Sequence, residues 1–156
     1  MPGTVESRLA ALGFMLPDAP SPAANYVPYT MAKGLIFIAG QAPVVDGKYQ
    51  SVGRVGAEVT LEAAQAAARL CALNVLAQVK AAVVGDWSRV RSCVRVCGYV
   101  SSAPGFFEQP KVLDGASDLM VQALGDAGKH ARSALGVFAL RGNVPVVIDA
   151  IFELAD

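Results

Sequence analysis

One apolar stripe constrains this chain more than any other feature. Between Thr60 and Gly85, the residues Leu61, Ala64, Ala68, Cys71, Val75 and Val79 recur at the spacing of one helix face. Thr60 is placed to cap that helix, Glu62 sits in the first turn where the helix dipole favours an acid, and Gly85 stops it. A stripe rich in alanine lets the helix approach a flat apolar surface closely, and a β-sheet is such a surface. The same stretch carries Glu62, Gln65, Arg69, Asn74, Gln78 and Lys80, so it is too polar to span a bilayer.

The flanking sequence supplies the strands. Tyr29 to Ala39 reads as strand, with a turn at Gly34 and Leu35 to Ile38 as its buried part. Asp46-Gly47 is a hairpin turn signal leading to short extended segments near Tyr49 and Val52. Val90 to Val100 alternates, with Val94, Val96, Gly98 and Val100 on one face and Arg91, Cys93, Arg95, Cys97 and Tyr99 on the other. After a loop at Ala103-Pro104-Gly105, Phe106 to about Leu124 is helical, at least from Ala116 on. Ala131 to Ala139 and Pro145 to Leu154 read as two further strands joined in a hairpin through Arg141-Gly142-Asn143. Residues 1–24 form an N-terminal helix, capped by Thr4 and stopped by Gly13, followed by a proline-rich connector. The whole, residues 1–156, reads as one α+β domain of two layers: a mixed sheet covered by two long helices, plus the N-terminal helix.

Composition sharpens the picture at one point. Hydrophobic residues make up 54% of the 156 residues and charged ones 17%, below the roughly 25% usual for soluble domains. Two long helices cover only one side of such a sheet, and the side carrying Val147 and Ile151 is left without cover, which calls for a partner subunit. Thirteen basic residues balance thirteen acidic ones, which argues against a broad nucleic-acid footprint. The stripe of Arg89, Arg91, Arg95 and Tyr99 lacks the catalytic groups and aromatic platform that would change that. Three scattered cysteines and a single histidine offer no paired metal spacing. They suit reduced thiols in a cytoplasmic protein without a cofactor.

Chemistry concentrates at His130-Ala131-Arg132-Ser133, where strand geometry sends His130 and Arg132 to one face. An arginine in so apolar a chain needs an anionic partner. Two readings stand: a structural pair with Asp149 on a neighbouring strand, or a bidentate grip on a ligand carboxylate. His130 reads as a solvated strand-edge residue or a proton donor, Tyr26 as a pocket phenol or a core aromatic, and Asp114 as a helix cap or a residue near the ligand.

Several segments together resemble the Rid (reactive intermediate deaminase, YjgF-type or endoribonuclease L-PSP-like) family. They are Asn25-Tyr26-Val27, Ile38-Ala39-Gly40-Gln41-Ala42-Pro43, Ala72-Leu73-Asn74-Val75, Ala131-Arg132-Ser133 and the strand Val146 to Ile151. Val112 to Leu119 is similar to a longer branch of that family, which also has the extra N-terminal helix. The resemblance implies a chorismate-mutase-like fold, a homotrimer and ligand clefts between subunits. It implies hydrolysis of 2-imino acids such as 2-iminobutanoate and 2-iminopropanoate, or their enamines, to 2-keto acids and ammonia. Arg132 would grip the substrate carboxylate, with Tyr26, Gly40 and Asp114 around the ligand. The sequence departs from the family where it matters most: Val147 stands at the place of the glutamate that holds the attacking water. Asp149 keeps an acid on the same strand face, about 6–7 Å further along. Ala39 replaces a common serine, His130 a common proline and Asp114 a common asparagine. The combination points to a small-carboxylate binder with impaired deaminase activity. A non-catalytic ligand-binding or interaction module and an endoribonuclease are the alternatives.

Overall fold

The computed structural model describes residues 3–155; Met1, Pro2 and Asp156, the ends of the expected 1–156 domain, lie outside them. The expected α+β architecture is present. In chain order the elements are α1 (Val5–Ala11), β1 (Tyr29–Ala32), β2 (Leu35–Gln41), β3 (Val44–Val45), β4 (Lys48–Tyr49) and α2 (Leu61–Ala82). Then follow β5 (Val90–Ser101), α3 (Gln109–Leu124), β6 (Ala131–Val137) and β7 (Val146–Leu154). Five strands form one mixed sheet in the order β1-β2-β7-β5-β6, while β3 and β4 make a separate hairpin. Among the described residues no helix is long and apolar enough to cross a membrane.

Helix α2 forms where its stripe and caps predict. Thr60 Oγ1 accepts from the Ala63 amide, and Ala64, Ala68, Cys71, Val75 and Val79 are completely buried. The helix ends at Ala82, and the left-handed residues Val84 and Gly85 turn the chain away. Helices α2 and α3 approach so closely that a β-carbon on Gly115 would lie 2.2 Å from the Gln65 carbonyl oxygen. Only glycine leaves that crossing unstrained. The first helix is capped by Thr4 as expected and buries Val5 and Leu9. It is fastened to the helix layer through Glu6, which accepts from the Trp87 indole at 3.0 Å and pairs with Lys80 at 3.1 Å.

Two expectations fail. The strands β6 and β7 are not a hairpin. β6 runs parallel to β5, at the sheet edge, and β7 lies between β2 and β5, antiparallel to both. The linker with its short 3-10 turn at Arg141–Asn143 therefore carries the chain across β5 instead of reversing it onto a neighbour. The uniform alternation of β5 also breaks. Its pairing with β7 slips between Cys93 and Arg95, so Cys93 is buried and Val94 is 40% exposed. That bulge inserts one residue and reverses the facing of Ser92 and Cys93, and a second slip between Val90 and Ser92 returns Val90 to the helix side. Beyond Arg95, Val96, Gly98 and Val100 face the helices, as read from the sequence.

Residues in register share a face, and neighbours along a strand do not. The face opposite the helices thus carries Phe37, Ile151, Val147, Leu135, Cys97, Tyr99 and Asp149. Phe37 is 40% and Leu135 48% exposed, and none of the three helices packs on that side.

Candidate functional site

The sequence-predicted site residues fall into two groups, one at the β6 edge and one around β2, β7 and the connector. Arg132 is level with Val96, and Val96 with Ala150, so it projects to the helix side at the outer edge of β6. Val147 and Asp149 belong to the other face.

The first group is built by α3 and the start of β6. A β-carbon on Gly128 would lie 2.2 Å from the Met120 carbonyl oxygen. Backbone therefore packs on backbone, and the entrance to β6 is drawn onto α3. Asp114 and Ser117, three residues apart on one helix face, meet the strand there. Arg132 Nη1 donates to Asp114 Oδ1 at 2.9 Å and to Ser117 Oγ at 3.3 Å. The anionic partner of Arg132 within the chain is Asp114, not Asp149. His130 is no free strand-edge group. Its Nε2 lies 2.9 Å from Ser117 Oγ and its Nδ1 2.6 Å from the Gly128 carbonyl oxygen. His130, Arg132 and Ser117 line a shallow, open surface depression of about 300 Å³ with Val121 and Lys129.

Of the second group, Tyr26, Gly40 and Val147, but not Asp149, line a cavity of about 430 Å³ between the proline-rich connector and β2, with Tyr49 and Arg141 also in its wall. The pairing of β2 with β7 slips between Ile38 and Gln41, and the slip sets Gly40 against Val147. A β-carbon at Gly40 would come within 2.9 Å of Val147 Cγ1, so glycine keeps this part of the wall open. The ring of Tyr49 lies over Gly142, where a β-carbon would meet it at 2.3 Å.

Both sides of that cavity are tied to α2 by two buried amides one turn apart. Asn74 Nδ2 donates to the carbonyls of Ala42 and Val44, each at 3.0 Å. Gln78 Nε2 donates to Pro20 at 2.7 Å. Sequence reasoning missed this role, although two amides at i and i+4 inside an apolar helix are a legible sign that backbone needs holding there. It also missed Ser117, Tyr49 and Arg141 as lining residues.

Asp149 accepts a hydrogen bond from the Tyr99 hydroxyl at 3.0 Å. Bonding toward the Cys97 sulfur and then to this carboxylate pushes the Tyr99 phenol above its ordinary range. Among the described residues, no group of three or more metal-ligating side chains comes together.

Comparison with known proteins agrees with this geometry. A family model described as "YjgF/chorismate_mutase-like, putative endoribonuclease" matches residues 6–149. The chain is 42% identical to Protein TCP17 of Trypanosoma cruzi, over 97% of this chain and 95% of that one. It is 48% identical to the crystallised protein Atu1372 of Agrobacterium tumefaciens, with a TM-score of 0.92 covering 97% of this chain and 92% of that one. E. coli TdcF, crystallised with bound serine, shares the fold at a TM-score of 0.65 and 19% identity, covering 99% of this chain and all of that one.

Proposed function

Since this chain belongs to the YjgF/chorismate-mutase-like family, we propose that it binds small 2-keto or 2-imino carboxylates through Arg132. The cleft is completed by another copy of the chain in a homotrimer. The observation that carries this reading is the division of the site. Arg132 and Asp114 meet at the β6 edge on the helix side, whereas Val147 faces the other way and lines a separate cavity with Tyr26 and Gly40. A small ligand reaches both groups only when a second protomer brings its connector cavity to the β6 edge. The exposed Phe37 and Leu135 on the helix-free face supply the apolar surface such an assembly buries. The serine in E. coli TdcF is a small carboxylate on the same fold, and supports the ligand class.

Binding outweighs turnover in this proposal. An imine carbon held by its carboxylate is hydrolysed when a positioned base directs water at it. Val147 offers no such group, and Asp149 is the acid next along the strand on that face, its carboxylate engaged by Tyr99. Residual hydrolysis runs through Asp149 and is slow.

The test is release of ammonia and pyruvate from freshly generated 2-iminopropanoate. The native chain gives a low rate that Arg132→Ala removes, and Val147→Glu raises it at least tenfold. A rate indistinguishable from buffer in both the native chain and Val147→Glu, with no binding of 2-oxobutanoate, would sink the proposal. Sedimentation of the native protein as a monomer would remove the shared cleft.

A further inference from the structure

The contacts of His130 define a direction for its proton. The Gly128 carbonyl oxygen 2.6 Å from Nδ1 can only accept, so Nδ1 carries the hydrogen. In the neutral ring Nε2 then offers its lone pair, and Ser117, 2.9 Å away, donates its hydroxyl proton to it. The same Ser117 oxygen accepts from the Arg132 guanidinium at 3.3 Å. One hydroxyl is thus polarised from both ends, by a base oriented by a third group and by a cation beside the oxygen. Base, orienting group and nucleophile within hydrogen-bond reach make the constellation of an activated serine. Ser117 is half-buried and opens on the shallow 300 Å³ depression described above.

We propose that Ser117 and His130 form an acyl-transfer dyad that hydrolyses short esters or thioesters whose acyl part carries a negative charge. Arg132 and Lys129 at the rim of that depression select the charge, and Val121 meets the short carbon chain. Ser117 Oγ attacks the acyl carbonyl carbon, and its proton passes to His130 Nε2. The oxyanion forms beside the Arg132 guanidinium. When the intermediate collapses, the carbonyl is restored, the bond to the leaving alcohol or thiol breaks, and the leaving group takes the proton from His130. Water then adds to the acyl-serine, giving its proton to His130. The Ser117–acyl bond breaks, Ser117 recovers a proton, and the free acid leaves.

The inference shares Arg132 with the imine-binding reading but stands on different atoms, and the assay contains no imine. The probe is 4-nitrophenyl hydrogen succinate, with neutral 4-nitrophenyl acetate for comparison. The native chain is expected to show a nitrophenolate burst, a succinyl adduct mapped to Ser117 by peptide mass spectrometry, and at least tenfold preference for the anionic ester. Ser117→Ala loses burst and adduct. His130→Gln, which keeps a polar side chain at the position, slows acylation on the order of 100-fold while melting like the native protein. An adduct on another residue, a burst that persists in Ser117→Ala, or native rates in a folded His130→Gln would each overturn the proposal.

Discussion

Replacing Asp114 by asparagine asks whether the carboxylate beside Arg132 helps a ligand or competes with it. Asp114 Oδ1 sits 2.9 Å from Arg132 Nη1, so an incoming carboxylate meets a guanidinium already engaged. Two unit charges with centres about 4 Å apart attract by roughly 4 kcal/mol at an effective dielectric near 20. That figure needs discounting, because the Asp114 side chain is 50% exposed. Exposed pairs are worth about 0.2–1 kcal/mol. The Arg132 side chain is only 26% exposed, which favours the upper end. Asp114→Asn keeps the shape and one acceptor oxygen but removes the charge, so about 1 kcal/mol of competition disappears. The dissociation constant of 2-oxobutanoate should fall about fivefold, and the gain should shrink as salt is added. Titration calorimetry of both proteins at two ionic strengths reads this directly. Unchanged or weaker binding by the asparagine variant would refute the competition argument and make Asp114 a ligand contact in its own right.

Two further predictions concern the scaffold. Gly115→Ala drives a methyl group into the Gln65 backbone, which cannot rotate away, and should lower stability by about 1–3 kcal/mol; an unchanged urea midpoint would contradict the packing described. Burial pushes the Cys93 thiol up to about 12 and the Cys71 thiol up as well. Thiols released by unfolding ionise near pH 9 while the buried ones keep their protons, so the stabilisation is complete below pH 9 and falls above it. The slope is about 1.4 kcal/mol per pH unit for each thiol. Cys93→Ala should reduce that alkaline slope by about one such increment, as followed by urea unfolding between pH 8 and 11.

The fold was largely legible because its strongest signals are local. The stripe from Leu61 to Val79, the caps at Thr4 and Thr60 and the turns at Gly34 and Asp46-Gly47 each act within a few residues. The failures came where a distant strand decides the outcome. Nothing near Val94 marks the bulge, since it exists only against β7, and nothing in Arg141-Gly142-Asn143 says that β7 passes over β5. The site divides the same way. Arg132 stood out because a guanidinium opening a strand of so apolar a chain needs an anion. Its actual partner, Asp114, lies 18 residues away on a helix, and the meeting depends on the tight packing of Gly128 against Met120. That packing also joins Ser117 to His130, which sequence spacing does not suggest.

The position of β7 has a consequence for how the molecule comes to exist. Every other strand of the sheet precedes β7 in the chain, yet β7 lies in the middle, with β2 on one side and β5 on the other. Until residues 146–154 leave the ribosome, β1 with β2 and β5 with β6 are two separate fragments, each exposing an unpaired edge and an apolar face. The sheet therefore closes only after residues 146–154 have been made, through contacts between distant segments, the slowest kind to form. A nascent chain stalled before Val146 presents two strand edges open to aggregation. A stop codon there would be as damaging as one near the start, although it takes only one strand from this sheet.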